Sequence, residues 1–339
     1  MAAPRAFIAG VSGLTLTNEE RTFLRDADPW GAILFKRNVS DKAQVSDLAK
    51  SIRDALGREA VILVDQEGGR VQRLGPPHWP AYPPGARYAA LYDVRRDTGL
   101  EAAELGARLI AHDLREVGID TDCLPLADVP VAQGDPIIGD RAYGDRPDKV
   151  ADIAAAVARG LMRGGVLPVL KHLPGHGRAT ADSHLKLPVV DTPRATLERT
   201  DFAAFRPLAG LPLGMTAHVV FSSIDPATPA TTSVTMLGEV IRGWIGFQGL
   251  LMSDDVSMGA LSGTIAQRSR AAIAAGCDVV LHCNGDLAEM RAVAGEAPVL
   301  VGEALRRSDA ALAERHAPDA FDVTAGRARF AELTAGAQV

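Results

Sequence analysis

Short apolar runs alternate with longer amphipathic stretches along most of the chain. Eight of the runs are short and mostly apolar along their length, which is typical of parallel strands that are covered on both faces. They lie at residues 7–10, 31–35, 61–65, 121–128, 166–171, 214–218, 249–253 and 277–282. The pattern therefore predicts eight strands, most of them separated by a helix.

Apolar residues recur at helical spacing in the stretches between the strands. In the clearest case, residues 40–56, Val45, Leu48 and Ile52 share one face. Ser40 is placed to cap the start of this helix and Gly57 to end it. Comparable patterns predict helices at residues 100–117, 149–163, 194–205, 236–244 and 265–275, and two more between 299 and about 333.

The number and order of these elements favour a (β/α)8 barrel, a fold that typically takes about 250 residues. We predict an α/β protein with a single TIM-barrel catalytic domain over residues 1–339. The barrel is expected at about 6–295 and a C-terminal helical tail at about 299–339. A doubly wound open sheet is the structural alternative.

Charge and composition narrow the classes of partner. The chain has 36 lysines and arginines against 42 aspartates and glutamates, a net charge of −6, without a basic run. This argues against a general nucleic-acid-binding protein. No segment approaches about 18 uninterrupted apolar residues, so membrane insertion is not expected. The short apolar run at 6–11 is interpreted as the first strand rather than a signal peptide, which predicts a cytoplasmic protein.

The three cysteines, Cys123, Cys277 and Cys283, form no CxxC pair. Their small number and their spacing exclude a disulfide scaffold and a cysteine-based zinc site, and are typical of a protein in a reducing compartment. The sequence leaves the oligomeric state undetermined, with a monomer favoured.

Ionisable residues follow seven of the eight predicted strands, close to where each strand ends. Active sites of TIM barrels lie at the C-terminal ends of the strands, so these side chains are expected to meet at one rim. The residues at strand ends and in the following loops include Asp65, Arg73, Asp128, Arg141, Lys171, His172, His176, Asp182, His184, His218, Asp254, Asp255 and His282.

This set of residue types fits the cleavage of a glycosidic bond in a polyhydroxylated or anionic substrate. Glycosidic cleavage normally uses two carboxyl groups, and Arg, Lys and Asp side chains can bind sugar hydroxyls. Asp182 and His184 are two residues apart in a glycine-flanked loop. A carboxylate beside an imidazole orients the ring and favours its protonated form, which would make His184 a general acid. The alternative is a loop-stabilising aspartate beside an exposed histidine.

Three histidines within 13 positions, His172, His176 and His184, also suggest a metal-dependent barrel hydrolase. Pro174 and Gly175 interrupt any helix between the first two, so their spacing does not place them on one face. We predict no metal and no cofactor, and the metal hypothesis stays open as an alternative.

Four segments resemble sequence blocks of family 3 glycoside hydrolases, in their bacterial β-N-acetylhexosaminidase branch. They are DQEGGRVQRL at 65–74, IGDRAYG at 138–144, KHLPGHG with DSH at 171–184, and SDDVSM at 253–258. The blocks follow the family's order, with Tyr143 in place of the usual Phe and Val256 in place of the usual Leu.

The resemblance implies a TIM barrel and a role for each matching residue. Asp254 matches the nucleophile, and His184 matches the general acid/base, paired with Asp182. Asp255 would face away from the site if the strand stays regular to that point. The positions that match N-acetylglucosamine-binding residues are Asp65, Arg73, Arg141, Lys171 and His172.

The implied activity is that of a retaining exo-β-N-acetylglucosaminidase. Its substrates would be peptidoglycan fragments in which N-acetylglucosamine is linked to 1,6-anhydro-N-acetylmuramic acid, with or without peptide, during cell-wall recycling. A family 3 β-glucosidase or glycoside phosphorylase is the first alternative. A sugar-binding protein on a degenerate barrel is a non-enzymatic one.

Overall fold

Eight parallel strands close into a barrel in the computed structural model, which describes residues 3–335. The strands are Arg5–Gly10, Pro29–Leu34, Val61–Val64, Thr121–Asp122, Leu167–Leu173, Leu213–Thr216, Leu250–Asp255 and Val279–His282. Each pairs with its neighbour in the chain, and the eighth pairs with the first. The predicted (β/α)8 barrel is confirmed, and the open-sheet alternative is wrong. The chain ends included in the predicted domain, residues 1–2 and 336–339, lie outside the described part.

The strands are buried on both faces because side chains point alternately to the barrel interior and to the surrounding helices. All four residues of Val61–Val64 and all six of Pro29–Leu34 are buried. The fourth strand was predicted at 121–128, yet it pairs regularly over only two residues. Pro125 has no N–H to donate to a neighbouring strand. Beyond it, the Ala127 N–H donates to the Lys171 carbonyl in an isolated bridge outside the regular strand.

Helices surround the barrel in the order expected for this fold. They are α1 (Asn18–Ala27), α2 (Lys42–Leu56), α3 (Gly85–Val94), α4 (Arg96–Arg115), α5 (Pro147–Arg163), α6 (Arg194–Arg199), a π-helix (Met236–Ile245), α7 (Ile265–Ala275) and α8 (Leu287–Glu296). No helix within residues 3–335 has the length and apolar character needed to span a membrane.

Two predicted helices differ in detail from the structure. The helix expected from residue 40 begins at Lys42, because the Asp41 carboxylate accepts the Gln44 N–H and so caps the helix. Ser40 instead donates to the side chains of Asp41 and Gln44. The helix expected over 194–205 ends at Arg199 and is followed by a separate 3-10 turn.

Two helices follow the barrel, α9 (Gly302–Ala313) and α10 (Val323–Ala335), as the predicted tail requires. The ring of Phe330 in α10 lies 6.3 Å from that of Tyr82 and 6.5 Å from that of Tyr88. Arg327 donates to the buried Asp113 of α4 at 2.6 Å. The tail is therefore packed onto the outer surface of the barrel.

Candidate active site

A cavity of about 270 Å³ opens at the C-terminal ends of the barrel strands. Its wall contains seven of the eight predicted site residues: Asp65, Arg73, Arg141, Lys171, His172, His184 and Asp254. The eighth, Asp182, is hydrogen-bonded to His184. The structure therefore brings the whole predicted set together.

A charge cluster, formed by Asp65, Glu67, Arg73, Arg141 and Lys171, makes up one side of the cavity. Lys171, whose side chain is 2% exposed, lies 3.1 Å from Asp65 and 2.6 Å from Glu67. Arg73 donates to the second oxygen of Asp65 at 2.8 Å. Burial opposes ionisation of Asp65, but the Lys171 and Arg73 charges outweigh it and hold its pKa far below the usual range.

Glu67 is the member of this cluster that sequence reasoning missed. Its carboxylate accepts two bonds from the Arg141 guanidinium, at 2.8 and 2.7 Å, in the bidentate geometry that arginine favours. Burial of Glu67 opposes its ionisation, but Lys171 and Arg141 lower its pKa overall. The sequence signal that could have identified Glu67 is its position in the segment at 65–74, two residues after Asp65.

A tight hairpin positions Arg73 next to Asp65. Residues Gln66–Gly68 pair antiparallel with Val71–Gln72, and the Gln66 side chain accepts the N–H groups of Arg73 and Leu74. Gly68 has φ of 95°, and a Cβ there would lie 2.3 Å from the carbonyl oxygen of Pro83. Glycine is therefore needed for the turn.

Asp128 positions two histidines of the cavity wall, His172 and His176. Its Oδ2 accepts a bond from His172 Nδ1 at 2.7 Å, and its Oδ1 accepts the His176 N–H at 2.7 Å. Burial opposes ionisation of Asp128, but His172 and the other donors lower its pKa to about 2. The bonded Nδ1 leaves Nε2 of His172 available for a ligand.

Asp254 lies near the end of the seventh strand and is partly buried. One of its oxygens accepts the Asp255 N–H at 2.8 Å. Burial raises the pKa of the Asp254 carboxyl, but His218, His172 and this N–H bond outweigh burial and leave the pKa below its usual value. The group is therefore an anion at neutral pH.

Asp255 does not follow the alternation that would turn it away from the cavity. The pairing of the seventh and eighth strands shifts register between Met252 and Asp255, and Asp255 lines the cavity beside Asp254. Its carboxylate accepts the N–H and O–H of Ser257 and the N–H of Cys283. It therefore serves the backbone turn that follows Asp254.

Asp182 and His184 form a hydrogen-bonded dyad in the loop at 177–187, called here the dyad loop. His184 donates through Nδ1 and through its backbone N–H to the same Asp182 oxygen, at 2.7 and 2.8 Å. Burial opposes ionisation of Asp182, but these bonds lower its pKa overall. The His184 side chain is 62% exposed, and its Nε2 is left for exchange of a proton with a ligand.

The three histidines of the metal hypothesis have separate partners. His172 bonds to Asp128, His176 to Ser183 and His184 to Asp182. Within residues 3–335, three potential ligand atoms come within 4.8 Å of one another at one place, His112, Asp113 and Glu116 of α4. Asp113 there is already bound by Tyr82 and Arg327. The histidine arrangement thus favours hydrogen bonding over a shared ion.

Comparisons with known proteins show which family the chain resembles over most of its length. The model of the glycosyl hydrolase family 3 N-terminal domain matches residues 8–305. A curated beta-hexosaminidase of Xylella fastidiosa is 39% identical over 296 residues, covering 85% of this chain and 87% of the relative. A beta-hexosaminidase of Alkalilimnicola ehrlichii is 42% identical over 284 residues, covering 81% of this chain and 79% of that relative.

A solved structure extends the similarity to nearly the whole chain. NagZ from Neisseria gonorrhoeae, in complex with N-trifluoroacetyl-D-glucosamine, superposes with a TM-score of 0.87 at 30% identity. The match covers 98% of both chains.

Proposed function

Because the chain belongs to glycoside hydrolase family 3 and is a β-N-acetylhexosaminidase, we propose that it is a retaining exo-β-N-acetylglucosaminidase. Asp254 is the proposed nucleophile, His184 the general acid/base, and Asp182 the residue that orients His184. One observation carries the proposal: the Asp254 carboxylate, partly buried and held ionised, lies in the same cavity as the Asp182–His184 dyad and a charge cluster suited to sugar hydroxyls.

The proposed reaction has two steps. Asp254 attacks the anomeric carbon while the bond to the leaving oxygen breaks, and protonated His184 gives that oxygen its proton. The resulting glycosyl ester is then attacked by water, which loses a proton to His184 as the bond to Asp254 breaks. Both substitutions invert the anomeric centre, so the sugar is released with its original configuration.

The charge cluster is proposed to bind the non-reducing N-acetylglucosamine unit through Asp65, Arg73, Arg141, Lys171 and His172. The cavity is slightly smaller than the range of about 300–1,000 Å³ typical of drug-sized ligands, which suits one sugar ring and hence exo-cleavage. The glucosamine derivative bound to the Neisseria relative supports this assignment.

We extend the proposal to the leaving group that the sequence resemblance implies. The substrate is a peptidoglycan fragment with N-acetylglucosamine on 1,6-anhydro-N-acetylmuramic acid, with or without peptide, and the cytoplasm is the expected location. The solvent exposure of the His184 side chain supports a bulky leaving group, because a group that extends beyond the cavity can then still reach the proposed acid/base.

The experiment compares 4-nitrophenyl N-acetyl-β-D-glucosaminide with the matching β-D-glucoside, each with and without EDTA. We expect chelator-insensitive hydrolysis of the acetamido sugar and a β-configured first product by proton NMR. An α-configured product would contradict retention, and preference for the glucoside would contradict the substrate. Sugar 1-phosphate in the presence of phosphate would instead indicate a phosphorylase.

A second assay tests the leaving group. GlcNAc-1,6-anhydro-MurNAc and N,N′-diacetylchitobiose are compared at equal concentration by mass spectrometry. Faster cleavage of the anhydro-muramyl substrate is expected, and equal or slower cleavage would contradict the role in recycling.

A further inference from the structure

Ser183 is a buried residue between the two members of the dyad. It is 3% exposed, whereas His184 beside it faces solvent. The Ser183 hydroxyl lies 3.0 Å from Nε2 of His176, a side chain that is itself 4% exposed. The His176 side chain is thus hydrogen-bonded to the residue between Asp182 and His184.

The backbone of the dyad is fixed from a second direction. The carbonyl of Ser183 accepts the Ala260 N–H at 3.0 Å, and the carbonyl of His184 accepts the Gly259 N–H at 3.1 Å. A Cβ on Gly259 would lie 2.8 Å from the His184 oxygen. The segment after the strand that carries Asp254 therefore holds the backbone of residues 183–184. The His176 ring holds the Ser183 side chain.

His176 is held firmly in the cavity wall. Its backbone N–H donates to Asp128, the carboxylate that also binds His172, and its ring lies edge-on to the His172 ring at 5.8 Å. Burial, with the His172 charge, lowers the pKa of His176 to about 4, so the ring is neutral at neutral pH. Its buried Nδ1 has no hydrogen-bond partner within residues 3–335.

From this arrangement we propose that the His176–Ser183 hydrogen bond positions the Asp182–His184 dyad over Asp254. Asp128 joins the two functions of the site, because it orients His172 on the sugar side and fixes the residue that anchors the dyad. His176 and Ser183 are positioning residues, since neither exchanges the reaction's proton. The inference rests on the proposed function, in which His184 is the acid/base.

A displaced acid/base affects some substrates more than others. A poor leaving group needs a proton in the transition state, whereas 4-nitrophenolate leaves without one, so loosening the dyad slows the first reaction more. For Ser183→Ala we expect kcat/KM on the disaccharide substrate to fall about 10- to 100-fold, the effect of a misplacement of about 1 Å. On the aryl glycoside, the fall in kcat/KM is expected to be at least several-fold smaller.

The second step gives an independent readout. Azide attacks the glycosyl–Asp254 ester without needing a base, so it bypasses a misplaced His184 and forms a β-glycosyl azide. We expect azide to raise kcat of Ser183→Ala on the aryl substrate while leaving wild-type kcat unchanged. Affinity for N-acetylglucosamine, measured by calorimetry, should stay within about twofold, because the charge cluster is untouched.

Two variants of His176 separate positioning from folding. His176→Gln can place an amide nitrogen near the former Nε2. Its substrate ratio, defined as kcat/KM on the disaccharide divided by kcat/KM on the aryl glycoside, should therefore lie closer to wild type than that of His176→Leu. If one hydrogen bond carries the effect, Ser183→Ala added to His176→Leu should change the ratio little further.

The matched control is Ser308→Ala. Its hydroxyl accepts a bond from the Trp30 ring N–H at 2.8 Å in a buried contact between α9 and the second strand. This variant should lower Tm without changing the substrate ratio or creating azide rescue.

The positioning role is overturned if Ser183→Ala keeps the wild-type substrate ratio and shows no azide effect. It is also overturned if Ser183→Ala and the control Ser308→Ala each lose activity to the same extent on both substrates. Failure of the proposed function looks different. In that case wild-type enzyme would not cleave the acetamido sugar, or His184→Ala would itself show neither leaving-group dependence nor azide rescue.

Discussion

The charge cluster and the dyad loop face the same cavity but are built in opposite ways. In the cluster, three cations and two carboxylates are linked by short contacts, and Lys171 and Glu67 are almost completely buried. In the dyad loop the functional pair is one Asp–His contact whose imidazole is mostly exposed. Its placement depends on Ser183 and on two backbone bonds.

The difference corresponds to what each region has to do in the proposed mechanism. A sugar ring bound in the same way in every turnover is served by side chains fixed before it arrives. A leaving group of variable size requires an acid that is reachable from solvent. We therefore expect changes in the cluster to alter binding and stability, and changes in the dyad loop to alter chemistry with little loss of stability.

The largest effect is expected at the point where both regions meet. Asp254→Asn removes the nucleophile while keeping its shape, and kcat on the aryl N-acetylglucosaminide should fall by at least about 10⁴-fold, as when a covalent nucleophile is removed elsewhere. Circular dichroism and Tm should show an intact fold. Asp255→Asn is the matched control, because it removes the neighbouring carboxylate that serves the turn. It should keep measurable turnover; if it abolished activity while Asp254→Asn did not, the nucleophile would be misassigned.

The next effect concerns the dyad loop alone. His184→Ala should lower kcat/KM on a disaccharide by about 10²- to 10⁴-fold, the usual contribution of general acid catalysis. The loss on the aryl glycoside should be clearly smaller, and urea unfolding should be near wild type because the side chain is exposed. Equal losses on both substrates would argue against an acid role and would leave His184 as a loop residue.

Changes in the charge cluster are expected to lower turnover less than changes at Asp254 or His184, and to lower stability more. Glu67→Gln leaves Arg141 without its buried carboxylate partner and Lys171 with Asp65 alone. Breaking a buried ion pair in this way typically costs about 3–5 kcal/mol of unfolding free energy. KM for the acetamido sugar should rise because both cations are then free to shift. Urea unfolding measures the first effect and steady-state kinetics the second.

An exposed ion pair near the cavity provides the control for Glu67. Arg70 and Asp140 are 2.9 Å apart with side chains 41% and 48% exposed. Asp140→Asn should cost less than about 1 kcal/mol, as exposed pairs usually do. Equal costs at the two positions would mean that burial does not distinguish them.

These two regions also show how far the sequence could be read. All eight strands were predictable because each lies within a mostly apolar segment, a consequence of burial on both faces, although the paired residues of the fourth are Thr121 and Asp122. Helix α1 was missed because Phe23 and Leu24 are its main buried apolar residues among charged ones. Helices α3 and α8 were missed for another reason, because their apolar residues show little helical periodicity.

The site was predictable where family motifs carry the chemistry, and not where tertiary contacts decide it. Glu67 and Ser183 lie inside the recognised segments, but only the folded chain shows that one bridges Arg141 and Lys171 and the other anchors on His176. The orientation of Asp255 was wrong because strand alternation does not include the register shift before it. Such irregularities depend on the neighbouring strand and leave no pattern in the sequence.

The smallest expected effect is the pH dependence of stability. The pKa of Asp128 is about 2 in the folded protein, against about 3.9 for an ordinary aspartate. A carboxyl whose pKa is depressed by folding stabilises the protein above its unfolded pKa, and that contribution is lost as the pH falls through the window from about 4 to about 2. Asp65 and Glu67, whose pKa values are also lowered, act in the same direction.

Unfolding free energies measured in urea from pH 7 to pH 3 should therefore decline on the acid side in the wild type. Asp128→Asn should be less stable at pH 7 and should show a shallower acid decline, because the charge that protonation removes is already gone. Asp182→Asn should leave the decline nearly unchanged, since its partner His184 is exposed and solvent screens the pair. If Asp182→Asn flattened the curve as much as Asp128→Asn, the dyad loop would contribute to stability like the buried carboxylates, and the contrast between the two regions would be lost.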